Sequence, residues 1–113
     1  MRWYLAIRRM NTPPRPSPDI LREHLSWLRA QHDSGTIVMS GPTADRALGL
    51  YVMRASSRDE AAVSASSDPL ARDDLGSVEV IEWDVHQIAG AGPFTLEALE
   101  AMEQVPGKPQ SGP

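Results

Sequence analysis

Three histidines and a handful of turn carboxylates are the side chains here that suit proton chemistry near neutral pH. His24 lies four residues from Ile20 and Leu28 and three from Leu21 and Trp27, so its imidazole stands on or beside the apolar stripe of a helix. Such a ring is either a core histidine satisfied by a carbonyl and a water, or a general acid/base. Imidazole suits the second role because its unperturbed pKa of about 6.5 lets it both take and give a proton, and a neighbouring carboxylate fixes its tautomer and raises its basicity. Asp68, in Ser66-Ser67-Asp68-Pro69, is a carboxylate to consider beside it, at the point where a second helix ends alongside the first, and position alone does not choose it over its loop neighbours. Asp before Pro also serves turns by bonding nearby amides. Asp73 and Asp74 are rival carboxylates of the same loop.

Other residues suit ligand contact rather than proton transfer. Gly41-Pro42, closing a strand, brings bare backbone toward a ligand or simply ends the strand, and Ser40 beside it offers a hydroxyl to substrate. Trp3, Trp27 and Trp83 read as core, with Tyr4 and Trp83 as an alternative wall for a flat ring. His32 lies about 12 Å of helix rise beyond His24, so the two cannot share a metal ion, and no metal-ligand set is expected. His86, with Glu82 and Asp84 on its face, marks a wet sheet end or the polar mouth of a cavity. No Gly-rich phosphate loop or nucleophile elbow occurs, which counts against the common nucleotide-dependent and hydrolytic enzymes.

The elements that must position these groups follow from periodicity. Trp3 to Arg8 alternates as a strand, with Trp3, Leu5 and Ile7 opposite Tyr4, Ala6 and Arg8. Pro13, Pro14, Pro16 and Pro18 make the next segment an extended loop. It ends at Ser17-Pro18, a cap followed by proline at the first helical position. From Asp19 to Asp33, Ile20, Leu21, Leu25, Trp27 and Leu28 recur at helical spacing, and Gly35 ends the helix. Thr36 to Ser40 and Leu48 to Arg54 form an antiparallel hairpin. Ser57 to Ser66 opens with a capping-box spacing, Ser57 to Glu60, and reads as a small-residue helix that stops before Pro69. Ser77 to His86 alternates as a last strand, and Thr95 to Glu103 reads as a short helix before a mobile tail.

The predicted class is therefore α+β: a ferredoxin-like βαββαβ domain, a four-stranded antiparallel sheet with two helices on one face. The other face, assigned Tyr4, Ala6, Tyr51 and Met53, is too apolar to stay wet, and a second copy of the sheet is its expected cover, giving a homodimer. A hydrophobic share of 41% and a charged share of 23% are those of a folded domain. The net charge of -4, with no basic cluster beyond Arg8-Arg9, excludes a phosphate-backbone footprint, so no nucleic acid partner is expected. No apolar run approaches a membrane span, and with no cysteine the fold is indifferent to redox compartment, so a cytoplasmic, non-membrane protein is expected.

The runs His24-Leu25-Ser26-Trp27-Leu28, His32-Asp33-Ser34-Gly35, Ser40-Gly41-Pro42, Ser67-Asp68-Pro69-Leu70 and Val78-Glu79-Val80-Ile81-Glu82-Trp83 together resemble the YciI-like (YCII-related) family over residues 2 to 86. The resemblance implies a dimeric α/β barrel arrangement, with His24 and Asp68 as an acid/base pair in a cofactor-independent site for small aromatic or hydroxylated molecules. It implies chemistry of the lyase or isomerase kind, dehydrohalogenation or dehydration included. The alternatives are a non-catalytic dimeric binding or accessory module and a cofactor-free monooxygenase. Leu70 stands where many members carry an aromatic. The domain is expected over 1–88, with a C-terminal extension over 89–113 that caps a pocket or packs on a partner.

Overall fold

A computed structural model describes residues 1–11, 16–72 and 75–103. The prolines at 13 and 14, the carboxylates Asp73 and Asp74, and the expected mobile tail from residue 104 lie outside the described residues. The strands are β1 (Arg2–Met10), β2 (Ile37–Pro42), β3 (Leu48–Ala55) and β4 (Gly76–Trp83). The helices are α1 (Pro18–Asp33), α2 (Arg58–Ser66) and α3 (Leu96–Glu103), and a single 3-10 turn spans Pro69–Ala71.

Local chemistry sets the helix ends. Ser17 Oγ accepts the Ile20 amide at 3.3 Å with Pro18 in the first turn, and after the C-cap Ser34 the chain leaves α1 through Gly35, whose φ of +79° no side-chain-bearing residue adopts cheaply. Ser57 caps α2 by accepting the Glu60 amide at 3.1 Å. Thr95 Oγ1 accepts the Ala98 amide at 3.1 Å at the start of α3. Among the described residues α3 does not pack substantially on any other element, and Phe94 before it and Leu96 at its start are exposed.

The sheet runs β2-β3-β1-β4, antiparallel throughout, the order of a ferredoxin-like fold with β1 and β3 central. Its buried core residues are Tyr4, Ala6, Ile37, Tyr51, Met53, Ala55 and Val80, packed against Ala61 and Ala65 of α2 and flanked by Trp27 and Leu28 of α1. Small residues on α2 let that helix approach closely, and the tyrosines and Met53 fill the remaining space.

This reverses the face assignment made from alternation. Tyr4, Ala6, Tyr51 and Met53 lie under the helices, whereas Trp3, Leu5, Ile7, Leu50, Val52, Ile81 and Trp83 lie toward the open face. Both strand faces are apolar, so a period of two separates them without saying which one the helices cover. The stripe expected on α1 is also narrower than its spacing suggests: Leu25 is 63% exposed, because α1 leans on the 3-10 turn and β2 at the sheet margin rather than on its centre. β4 ends at Trp83 rather than His86. Among the described residues, no helix is long and apolar enough to cross a membrane.

Gly76, at the start of β4, sits where a Cβ would come 2.7 Å from the Arg9 carbonyl oxygen and 2.8 Å from that of Leu70. The 3-10 turn is thereby pressed against the β1–β4 ladder, and the residue that opens the turn is Asp68.

Candidate active site

Asp68 caps the 3-10 turn by accepting the Leu70 amide on Oδ1 at 2.9 Å, which is the turn role expected of Asp before Pro. The same oxygen lies 2.7 Å from His24 Nδ1 on α1. Its other oxygen, Oδ2, accepts the hydroxyl of Tyr51 on β3 and, at 3.3 Å, Nη1 of Arg8 on β1. Arg8 Nη1 also donates to the Tyr51 hydroxyl at 2.6 Å. The carboxylate is wholly buried and His24 is 12% exposed, so the imidazole stands between the buried charge and the surface.

Four donors match the roughly four acceptor sites of an ionised carboxylate. Burial pushes the Asp68 carboxyl up, but hydrogen bonds from His24, Tyr51 and Leu70 outweigh it and hold the group below its ordinary range. Burial, reinforced by the Asp68 charge, pushes the Tyr51 phenol well above its ordinary value, so it stays protonated and donates. An ionised Asp68 can only accept, so Nδ1 of His24 must carry the proton that they share. In neutral imidazole the lone pair then sits on Nε2. Nε2 makes no hydrogen bond to another described residue. A neutral imidazole with a fixed tautomer and an unengaged ring nitrogen can accept a proton from a small molecule, or return one as imidazolium.

Trp27 frames the imidazole. Its ring lies 22° from the His24 plane with centroids 6.3 Å apart, it tilts 57° against Tyr51, and its Nε1–H donates to Ser67 Oγ at 2.8 Å. His24, Asp68 and Trp27 are thus brought together. Ser40 pairs in register with Tyr51, because a bulge between Ile37 and Met39 returns it to the helix side of the sheet. Its hydroxyl there meets His32 Nε2 at 2.8 Å on the exposed rim. Gly41 and Pro42 are exposed on the same edge strand, and a Cβ on Gly41 would meet nothing within 4 Å.

Tyr4 and Trp83 do not form a shared wall within one chain. Tyr4 is fully buried on the helix side opposite Glu82, while Trp83 pairs with Trp3 on the open face and is 46% exposed. The Tyr4 hydroxyl and Arg8 Nε are buried with no hydrogen-bond partner among the described residues. His86 lies 3.3 Å from Asp84, away from this site. Among the described residues no three His, Asp or Glu side chains converge to hold a metal.

Sequence reasoning missed Arg8 and Tyr51. Their signal was present in the alternation, since Arg8 shares a strand face with Tyr4 and Ala6, and a cation on an apolar face demands a buried counter-charge.

A ferredoxin-like domain with a buried carboxylate holding an imidazole at the meeting of helix and turn defines the class. The chain belongs to the YCII-related domain family, whose model matches residues 1–84. No curated protein matches the chain.

Because the native Asp68 carboxyl titrates below its ordinary value, its ionisation adds stability that is fully present above the unfolded value and is lost as pH falls through the native one. Asp68→Asn should be less stable at pH 7 by about 3–5 kcal/mol, having left Arg8 without its counter-charge. It should also lose much of the wild-type decline in stability below about pH 4. Denaturant melts across pH check both, and parallel wild-type and mutant curves would contradict the assignment.

Proposed function

We propose that this chain is a cytoplasmic, homodimeric, cofactor-independent enzyme of the lyase or isomerase kind, acting on a small hydroxylated or aromatic molecule with His24 as its acid/base. The observation that carries the reading is the 2.7 Å contact between His24 Nδ1 and a carboxylate saturated by three further donors. That contact directs the Nε2 lone pair away from Asp68 and gives the ring a fixed orientation.

In the proposed step Nε2 removes a proton from an activated C–H or O–H, and the C–H or O–H electron pair stays on the substrate. Asp68 stabilises the resulting imidazolium without taking its proton, since its lone pairs are occupied. The imidazolium then returns the proton to another substrate atom, which is an isomerisation, or the C–H pair becomes a new π bond as the neighbouring carbon's bond to a leaving group breaks, the group departing with that bond's electron pair and the imidazolium passing its proton to it or to water, which is an elimination. Asp68 is accordingly a positioning residue and His24 the catalytic one. The flat face of Trp27 beside the imidazole favours a planar substrate. Ser40, Gly41 and Pro42 on the adjacent edge strand are the proposed substrate-side contacts.

The homodimer is supported by the open sheet face, where Trp3, Leu5, Ile7, Val52, Ile81 and Trp83 form an apolar surface that a second sheet would cover. Light scattering at micromolar concentration should give twice the chain mass, and the mass of a single chain would contradict the assembly.

Turnover is tested by screening small hydroxylated and halogenated aromatics by mass spectrometry. For a substrate so found, His24→Ala should lower kcat/KM by about a hundred- to ten-thousand-fold while still melting in one cooperative transition, lowered by the lost donor to Asp68. Undiminished turnover by His24→Ala would overturn the reading. The stability loss in Asp68→Asn does not discriminate, because a purely structural pair predicts it too.

A further inference from the structure

Arg8 is a cation on the covered face of the central strand, with only 11% of its side chain exposed. In the β1–β3 register it lies opposite Gly49. A Cβ on Gly49 would fall 2.6 Å from the guanidinium carbon of Arg8 and 2.5 Å from Nη2. Gly49 does not have a positive φ, so the guanidinium, not the backbone, needs the missing side chain. The same guanidinium lies 5.8 Å from the Tyr51 ring centroid and donates to the Tyr51 hydroxyl and to Asp68. Seat, ring and carboxylate fix its position.

The consequence concerns charge. A buried carboxylate with no other cation nearby draws a proton onto an adjacent imidazole and keeps it there, and an imidazolium has no lone pair with which to act as a base. We propose that Arg8, seated on Gly49, is the positioning residue that supplies the compensating charge for Asp68, leaving the His24 imidazole neutral and able to accept a proton. Arg8 and Asp68 together carry no net charge, and a further positive charge on His24 would be repelled by the guanidinium across the carboxylate.

The other charged or titratable groups on elements packed around His24 do not replace Arg8. Arg72, beyond the 3-10 turn, is engaged with Glu23 of α1, and Tyr51 is a neutral donor. His32, at the far end of α1, is engaged with Ser40 of β2. The inference rests on the reading of His24 as a base, but its readout does not require turnover.

The test is an NMR titration of the His24 ring in wild type, Arg8→Met, Arg8→Lys and Gly49→Ala. In Arg8→Met the His24 midpoint should rise by about one pH unit or more, a tenfold gain in proton affinity. Arg8→Lys, which keeps the charge, should stay near wild type. Gly49→Ala keeps every charge and displaces the guanidinium, so its midpoint should rise in the same direction by less. It decides the matter if Arg8→Met does not fold. Midpoints that are unchanged or lowered in the folded variants among Arg8→Met and Gly49→Ala would overturn the proposal. Loss of the proposed activity reading alone, with His24→Ala still turning over substrate, would leave these shifts in place, so the two failures are distinguishable.

Discussion

A carboxylate with no exposed surface stays ionised only if donors meet its lone pairs, and the donors that meet Asp68 come from four separate places in the chain. His24 arrives from α1, Tyr51 from β3, Arg8 from β1, and the Leu70 amide from the turn that Asp68 itself opens. Residues up to 60 positions apart in sequence meet at one side chain. Removing any one donor leaves a buried acceptor short of a partner, at about 1–3 kcal/mol for a neutral donor and more for the charged one. The ferredoxin-like topology makes the meeting possible, because it sets β1 and β3 side by side at the sheet centre and ends α2 next to α1.

Around this carboxylate the domain is asymmetric. α2 lies close on small residues and supplies packing but no chemistry, whereas α1 sits at the margin with no fully buried residue and supplies the imidazole. A helix at the margin is what lets His24 touch a wholly buried charge on one side and the surface on the other. Gly76 and Gly49 do related work at opposite ends of the site, one admitting the turn that carries Asp68 and the other admitting the guanidinium that faces it. Neither glycine has a positive φ; each is small because something must come close.

Much of this was legible in the sequence. Caps at Ser17 and Ser57, the prolines, and the strand alternation place every regular element to within a few residues, and they do so because those signals are local. Residue type and topology made His24 a candidate and offered Asp68 beside it, with Asp73 and Asp74 as rivals; the family resemblance, not position, singled out the pair. The sheet face was not. Alternation sorts Tyr4, Ala6, Arg8, Tyr51 and Met53 onto one side, but whether helices or solvent meet that side depends on packing across the whole domain. Assigning it to the open face hid Arg8 and Tyr51, whose buried polar groups belong to the site only once the helices cover them. The wall expected of Tyr4 and Trp83 failed for the same reason, since the two point to opposite faces of adjacent strands.

An ionised Asp68 fixes the proton of neutral His24 on Nδ1 and leaves the lone pair on Nε2. Long-range proton–nitrogen NMR correlation on nitrogen-15-labelled protein, recorded at a pH where the His24 ring is neutral, reads that tautomer directly. His24 should carry its proton on Nδ1 and none on Nε2. A proton on Nε2 instead, or rapid exchange between the two tautomers as in a free imidazole, would contradict it.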